Sequence, residues 1–274
     1  MTNSSDGPSQ AAHRDCFFTT DTVLGRPPCL CLSQSTALFL DFDGTLVEIA
    51  DHPHDVVVSE FLPPLLVQLS RKLDGRLAIV TGRSIAALEA LLGPISLAIA
   101  GSHGGEFRPA ADAEIEPLAA PLPGAVVDEL NRFARASGGL LVEPKPFSAA
   151  IHYRHHPEVL PNLRACTESL AAEFGLAIKH GKKVIEVTMP GSDKGSAVER
   201  FMALPAFDGA IPIFIGDDVT DEDAFAAVRR YDGEGVLVGA PRPTAATSRL
   251  DGVAEVHRWL EAGLEAVHKG DFRP

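Results

Sequence analysis

Asp41 and Asp43 stand one residue apart at the end of a short apolar run, in the stretch T-A-L-F-L-D-F-D-G-T-L at residues 36–46. Residues 37–40 suit a strand buried on both faces, and Gly44-Thr45 supplies turn chemistry directly after it. A buried strand that ends in carboxylates puts acid at the carboxyl edge of a sheet, where open α/β folds keep their ligands. Alone, a D-x-D of this kind is more often an acidic turn than a site. A second apolar run, residues 211–215, ends the same way, in Gly216-Asp217-Asp218. If the two strands are parallel neighbours, Asp41, Asp43 and Asp217 converge, and such a cluster repels itself unless a hard cation sits within it. A few carboxylates with some waters retained suit Mg²⁺. Arg83, Lys194, the Thr81 hydroxyl and turn N–H groups are parts for holding a phosphoryl group beside a metal. The chain has no Walker loop or dinucleotide glycine fingerprint, which argues against a nucleotide ligand.

The elements that must position these residues follow a repeating order. Ser59 suits the N-cap of a helix through about Leu73, with Phe61, Leu65, Leu66 and Leu69 on one stripe. A second buried strand, residues 77–80, runs into Thr81-Gly82-Arg83-Ser84, and Ser84 can cap the next helix, stopped by Gly93-Pro94. A third strand, residues 97–100, ends in Gly101-Ser102-His103-Gly104-Gly105-Glu106. Strands and helices alternating in this way predict a doubly wound parallel sheet.

The order then changes. Residues 110–124 read as an Ala- and Pro-rich linker. A helix at 125–136, strands at 140–143 and 149–154, a helix at 157–174 and extended pieces at 176–179 and 184–188 predict an α+β insert with an antiparallel sheet. In the last strand the period of two puts Ile185 and Val187 on one face and Glu186 on the other, and Glu143 and Lys145 share a face across Pro144. On pattern alone these three charges read as a solvated sheet face. The first order resumes with a helix opened by Asp193-Lys194-Gly195, the strand ending at Asp217, a capping pair at Thr220 and Asp223, a strand at 235–238 and a helix at 254–267. The expected fold is therefore α/β: a core at 34–108 and 191–274, a smaller α+β cap domain at 109–190, and a poorly ordered, flexible arm at 1–33.

Composition narrows the function classes. With 45% hydrophobic and 22% charged residues the chain suits a soluble globular protein. No apolar run approaches the ~20 residues of a membrane helix, and the N-terminus lacks the basic-then-apolar order of a secretory signal. Cys29-x-Cys31 has no matching second pair, and Cys16 and Cys166 complete none, so structural zinc is not expected and a reducing cytoplasm is. His52-Pro53-His54 reads as solvated loop for want of a third ligand. A net charge of −13 argues against nucleic-acid binding, so an anionic substrate must be drawn by a few placed cations.

D-F-D-G-T-L (Asp41 to Leu46), T-G-R (Thr81 to Arg83), D-K-G (Asp193 to Gly195) and G-D-D-V-T-D-E (Gly216 to Glu222), in that order, resemble the haloacid dehalogenase (HAD) superfamily. G-S-H-G-G-E-F-R from Gly101, V-E-P-K-P-F-S-A-A-I-H-Y-R from Val142 and G-K-K-V-I-E-V from Gly181 further resemble its trehalose-6-phosphate phosphatase branch. The resemblance implies a Rossmann-like HAD core with a C2-type α+β cap and Mg²⁺-dependent phosphate hydrolysis. By it, Asp41 is the nucleophile and Asp43 the acid and base. Thr81, Gly82, Arg83, His103 and Asp218 lie around the substrate, and Lys194 clamps nucleophile and phosphate. Asp41, Asp43 (through its main-chain carbonyl) and Asp217 would hold the metal, while Asp221 is either a further partner of that shell or only a helix cap. Glu143, Lys145 and Glu186 become sugar contacts rather than a solvated face. The implied substrate is a small sugar phosphate, with no nucleic acid and no membrane, and association with a trehalose-6-phosphate synthase is an expectation of the same kind. A sucrose-phosphate or glucosyl-glycerol phosphate phosphatase, or a non-catalytic sugar-phosphate sensor, are the alternatives.

Overall fold

Thr36–Leu40 (β1) is buried at every position, as its unbroken apolar composition requires of a strand covered on both sides. The computed structural model describes residues 24–270 apart from 34, 53, 54, 119, 182, 191 and 192, with side chains to residue 266. After β1 come Leu62–Lys72 (α1), Leu77–Val80 (β2), Ile85–Leu92 (α2), Ala98–Gly101 (β3), Glu106–Arg108 (β4) and Glu116–Pro117 (β5). Gly124–Ala136 (α3), Leu141–Pro144 (β6), Ser148–His152 (β7), Leu160–Phe174 (α4), Ala177–Gly181 (β8) and Val184–Thr188 (β9) follow. The chain closes with Lys194–Met202 (α5), Ile211–Gly216 (β10), Glu222–Val228 (α6), Glu234–Val238 (β11), Ser248–Leu250 (β12) and Val253–Gly270 (α7).

One sheet has the order β12-β11-β10-β1-β2-β3-β4-β5, parallel from β12 to β3 and antiparallel beyond. Leu38 and Leu40 of β1 face the layer of α1, α2 and α7, whereas Phe39 faces α5 and α6. Both faces are thus covered, and the doubly wound arrangement expected from the alternation is present. Phe201 of α5 lies against Phe39 of β1 with ring centroids 5.7 Å apart. Burying a ring of this size contributes about 1.5–3 kcal/mol, and the contact fixes the helix whose first residue is Lys194.

The second sheet, β6-β7-β9-β8, is antiparallel throughout. Ala149, Ile151, Ile185 and Val187 point to α3 and α4. On the opposite face, Glu143, Ala150, Glu186 and Lys179 form one cross-strand row. Period-two alternation sends every second residue of these strands to that face.

Several expectations need correction. The linker expected at 110–124 contains β5, which pairs with β4, so the core sheet runs past residue 108. Helix α1 starts at Leu62, three residues after Ser59, whose hydroxyl accepts only the N–H of Phe61; Pro63 and Pro64, which need no N–H partner, open it instead. The capping box expected at Thr220 and Asp223 is formed two residues earlier, by Asp218 and Asp221. The flexible arm does not extend over residues 24–32. Arg249 N–H donates to Gly25 O, Trp259 Nε1 donates to Pro28 O, and Leu30 is buried on α7, where Gly263 leaves room for it. Residues 1–23 and the His54 and Cys16 readings lie outside the described residues. Among the described residues, Cys29, Cys31 and Cys166 are free thiols, and no helix is long and apolar enough to cross a membrane.

Candidate active site

Because β1 and β10 are parallel neighbours with Leu40 opposite Ile215, the segments leaving them emerge side by side. Asp41 N–H donates to Ile215 O at 2.9 Å. One carboxylate oxygen from each of Asp41, Asp217 and Asp221 lies within 4.8 Å of the others, and all three residues are buried. Lys194 reaches into this cluster from the first turn of α5, donating from Nζ to Asp41 Oδ1 at 2.7 Å and to Asp221 Oδ1 at 2.5 Å. A lysine is disfavoured at the positive end of a helix, so its carboxylate partners must hold it there.

The electrostatics follow from burial. Desolvation pushes the Asp41 carboxyl well above its ordinary range, Lys194 opposes this, and Asp221 and Asp217 reinforce it. Burial alone would lower the Lys194 ammonium, but Asp221 and Asp41 outweigh it and raise it. One ammonium against three carboxylates leaves an excess of negative charge on hard oxygen donors. That donor set fits Mg²⁺, which favours one or two carboxylates with waters and substrate oxygens.

The side chains do not converge as Asp41, Asp43 and Asp217: the carboxylate cluster is Asp41, Asp217 and Asp221, and the Asp43 carboxylate is turned to Arg83, whereas the metal contact expected of Asp43 is through its main-chain carbonyl. Asp221 also caps: its Oδ2 accepts the Asp218 N–H at 2.8 Å. Asp221 thus serves the capping box through Oδ2 and holds Lys194 through Oδ1. Gly44 sits beneath Asp217 at φ +81°, and a Cβ there would overlap the Asp217 carboxylate.

The Thr81-Gly82-Arg83 turn follows β2 on the other side of β1. Thr81 is buried behind it, and its hydroxyl accepts the Arg83 N–H at 3.1 Å, which holds the turn. The Arg83 guanidinium grips Asp43 and lies 5.7 Å over the ring of Phe42. Gly82, Arg83, His103 and Asp218 all line the cleft in front of Asp41.

The opposite wall of that cleft is the polar face of the four-stranded sheet. Glu186 accepts Lys145 Nζ at 3.1 Å and Ser148 Oγ at 2.5 Å on Oε1, and His103 Nε2 at 2.9 Å on Oε2. Burial would raise the Glu186 carboxyl, but Lys145 above all, with His103 and Ser148, holds it well below its usual range. Lys145 is raised because Glu186 and Glu143 outweigh its burial, and Nζ also donates to Gly82 O at 3.3 Å. The hydrogen bond from His152 lowers Glu143. Arg154 pairs with Asp51 at the rim. Glu143, Lys145 and Glu186 therefore face the carboxylate cluster across one cleft, not bulk solvent.

Lys179 was missed by sequence reasoning. It lines the same cleft as the cross-strand neighbour of Glu186, and burial lowers its pKa. The signal was the period of two in β8, which only the pairing with β9 converts into a place beside Glu186. Ser148, which fixes Glu186, gave no signal beyond its position in the motif.

Residues 39–254 match the trehalose-phosphatase family. The chain is similar to the trehalose-6-phosphate phosphatase of Escherichia coli (strain K12), with 37% identity over 243 residues covering 87% of this chain and 90% of the relative. It is also similar to trehalose-phosphate phosphatase B of Arabidopsis thaliana, 29% identical over 256 residues, covering 86% and 68%. Among solved structures, the C-terminal domain of the C. albicans trehalose-6-phosphate phosphatase superposes with a TM-score of 0.74 at 26% identity, covering 84% of this chain and 93% of that one. A carboxylate cluster with its lysine at the sheet edge, faced by a charged antiparallel sheet, is thus accompanied by likeness over nearly the whole described chain, and the chain belongs to the trehalose-phosphatase family.

Proposed function

We propose that this phosphatase hydrolyses trehalose 6-phosphate to trehalose and phosphate, with Mg²⁺ and through an aspartyl-phosphate intermediate. The observation that carries the reading is the placement of Asp41, Asp217 and Lys194, with the buried Asp221 bonded to Lys194, opposite Glu143, Lys145 and Glu186 in one cleft. One end suits a phosphoryl group and the other a polyhydroxylated leaving group.

Asp41 attacks phosphorus while Lys194 holds its carboxylate in line and offsets charge on the phosphoryl oxygens. Splitting hydrolysis at Asp41 gives two displacements, each easier than one direct attack by water. Asp43, one residue further on the same loop, protonates the departing sugar oxygen and then takes the proton of the attacking water. The Gly82 N–H and the neighbouring turn hold phosphoryl oxygens. Asp217, Asp41 and the main-chain carbonyl of Asp43 would hold Mg²⁺, with Asp221 beside them. When bound, the ion neutralises charge that develops on the transferring group. The insert carrying the four-stranded sheet acts as the cap, reading sugar hydroxyls through Glu143, Lys145 and Glu186 and excluding water.

Phosphate release from trehalose 6-phosphate, sucrose phosphate, glucosyl-glycerol phosphate and glucose 6-phosphate, with Mg²⁺ or with EDTA, tests the reading. Preference for trehalose 6-phosphate and loss of turnover in EDTA are expected. Equal rates on all four would remove the specificity assigned to the cap, and no turnover with Mg²⁺ present would favour a sensor. Association with a synthase is tested separately by co-purification with the enzyme that makes the substrate.

A further inference from the structure

We propose that His103 is a positioning residue that ties the sugar-reading face of the four-stranded sheet to the turn that holds the phosphate. One imidazole would then set the orientation of Glu186 and the seat of Gly82 together. The inference rests on the phosphatase reading above and concerns how its two halves are coupled.

The connections are direct. The His103 N–H donates to Thr81 O at 2.9 Å, and the preceding Ser102 N–H donates to Arg83 O at 2.7 Å, so this segment is fastened to both sides of the turn. The ring lies over Gly82 so closely that a Cβ there would come within 2.6 Å of Nε2. From the same Nε2 the ring reaches Glu186 Oε2 at 2.9 Å. Lys145 closes the circuit by bonding both Glu186 Oε1 and Gly82 O. Glu186 is thus held from its own sheet by Ser148 and Lys145, and from the opposite wall by His103.

Two further features argue that His103 is more than packing. Ser102 and His103 both lie in the left-handed region, at φ 51° and 55°, which costs free energy for residues with a Cβ and persists only where the surroundings enforce it. His103 Nδ1 is also buried with no hydrogen-bond partner among the described groups. Burial keeps the imidazole below its ordinary pKa, so at neutral pH it is uncharged, and the ionised Glu186 assigns the single proton to Nε2. Nδ1 is then a bare acceptor. A strained backbone and an unsatisfied nitrogen are both tolerated at the position that delivers one N–H to Glu186.

Asparagine and glutamine separate the explanations. Asparagine suits a left-handed backbone best but is too short to reach Glu186, whereas the glutamine amide can place an N–H where Nε2 stands. The measurement is the ratio of kcat/KM for the sugar phosphate that the wild type turns over fastest to kcat/KM for p-nitrophenyl phosphate, which has no sugar for Glu186 to read. His103→Asn is expected to lower this ratio about 10- to 100-fold, the effect of one hydrogen bond to a charged group. His103→Gln should restore it to within about threefold, and in a Glu186→Gln background His103→Asn should change the ratio little. Rescue by asparagine rather than glutamine would reduce His103 to a backbone role, and an equal fall on both substrates would make it scaffold; either overturns the proposal. Should the wild type prefer a phosphate other than trehalose 6-phosphate, the substrate assignment fails on the wild type alone, while the variant comparison still decides the role of His103.

Discussion

Arg83 grips both carboxylate oxygens of Asp43, Nε to Oδ2 and Nη2 to Oδ1, each at 2.7 Å. The same guanidinium lies over the ring of Phe42. The second and third residues of the D-F-D stretch therefore seat an arginine that lies 40 positions beyond Asp43, and the two motifs template each other. A planar fork on both oxygens fixes the direction of a carboxylate in a way a single point charge does not.

Arg83→Ala is accordingly expected to lower kcat for the preferred sugar phosphate at least about tenfold, with a melting temperature within a few degrees of the wild type, since the pair is partly exposed. Added guanidinium should recover part of the loss. Arg83→Lys should recover less than arginine itself supplies, and a lysine variant with full kcat would show that geometry at Asp43 is unimportant.

Acid should weaken the fold in two stages. The Glu186 carboxyl is held well below the 4.5 of an unfolded chain, because Lys145 and its hydrogen bonds overcome burial. Its contribution is whole above about pH 4.5 and is lost as the pH falls from there through the folded pKa, because the unfolded chain takes the proton first. His103 acts in the same direction at higher pH: burial lowers it from 6.5, so the unfolded imidazole protonates first and stability falls below about pH 6.5. Thermal melts in EDTA from about pH 2.5, well below the 4.5 of the unfolded carboxyl, to about pH 8 should show the lower stage flattened in Glu186→Gln and the upper stage in His103→Gln. Unchanged slopes in both would mean that the cluster is not coupled to folding.

Gly44 links the opening turn to the carboxylate cluster proposed to hold Mg²⁺. An alanine there would strain the left-handed backbone and push Asp217 from its place. Gly44→Ala is expected to weaken Mg²⁺ binding about tenfold or more in calorimetric titration. Gly209, also left-handed at φ +70° but with open space around it, is the control. Its alanine variant should lose about 1 kcal/mol of stability and keep Mg²⁺ affinity. Equal losses of affinity in both variants would assign the effect to backbone strain alone.

Much of this arrangement was legible in the sequence, for identifiable reasons. Buried strands that stop abruptly in polar residues leave few topologies open; the convergence of Asp41 and Asp217 needed only that β1 and β10 be neighbours, which they are, and the resemblance supplied Lys194 beside Asp41. Strand β5 was not legible, because two residues carry no period. Leu30 was hidden in a segment whose composition resembles a loose arm, yet one apolar side chain meeting the space at Gly263 holds it down. Lys179 needed the register of two short antiparallel strands. The exchange of Asp43 for Asp221 in the carboxylate cluster depends on side-chain direction, which Arg83 decides from another element.

Asp221 can be divided experimentally because its two oxygens have different tasks. Oδ2 takes the Asp218 N–H, a capping bond that a neutral amide oxygen can also accept, while Oδ1 takes Lys194, a bond whose strength depends on charge. In Asp221→Asn the cap survives, the ammonium is drawn towards Asp41 alone, and the excess negative charge of the carboxylate cluster falls by one. Activity and Mg²⁺ affinity are expected to drop about 10-fold or more, as for loss of a charge-assisted bond, with little change in melting temperature. Asp221→Ala should show the same loss of activity and lose about 1 kcal/mol more in denaturant titration, the usual worth of a helix cap. An asparagine variant with wild-type kcat and Mg²⁺ affinity would leave Asp221 as a cap only, and Lys194 would then be held in place by Asp41 without help.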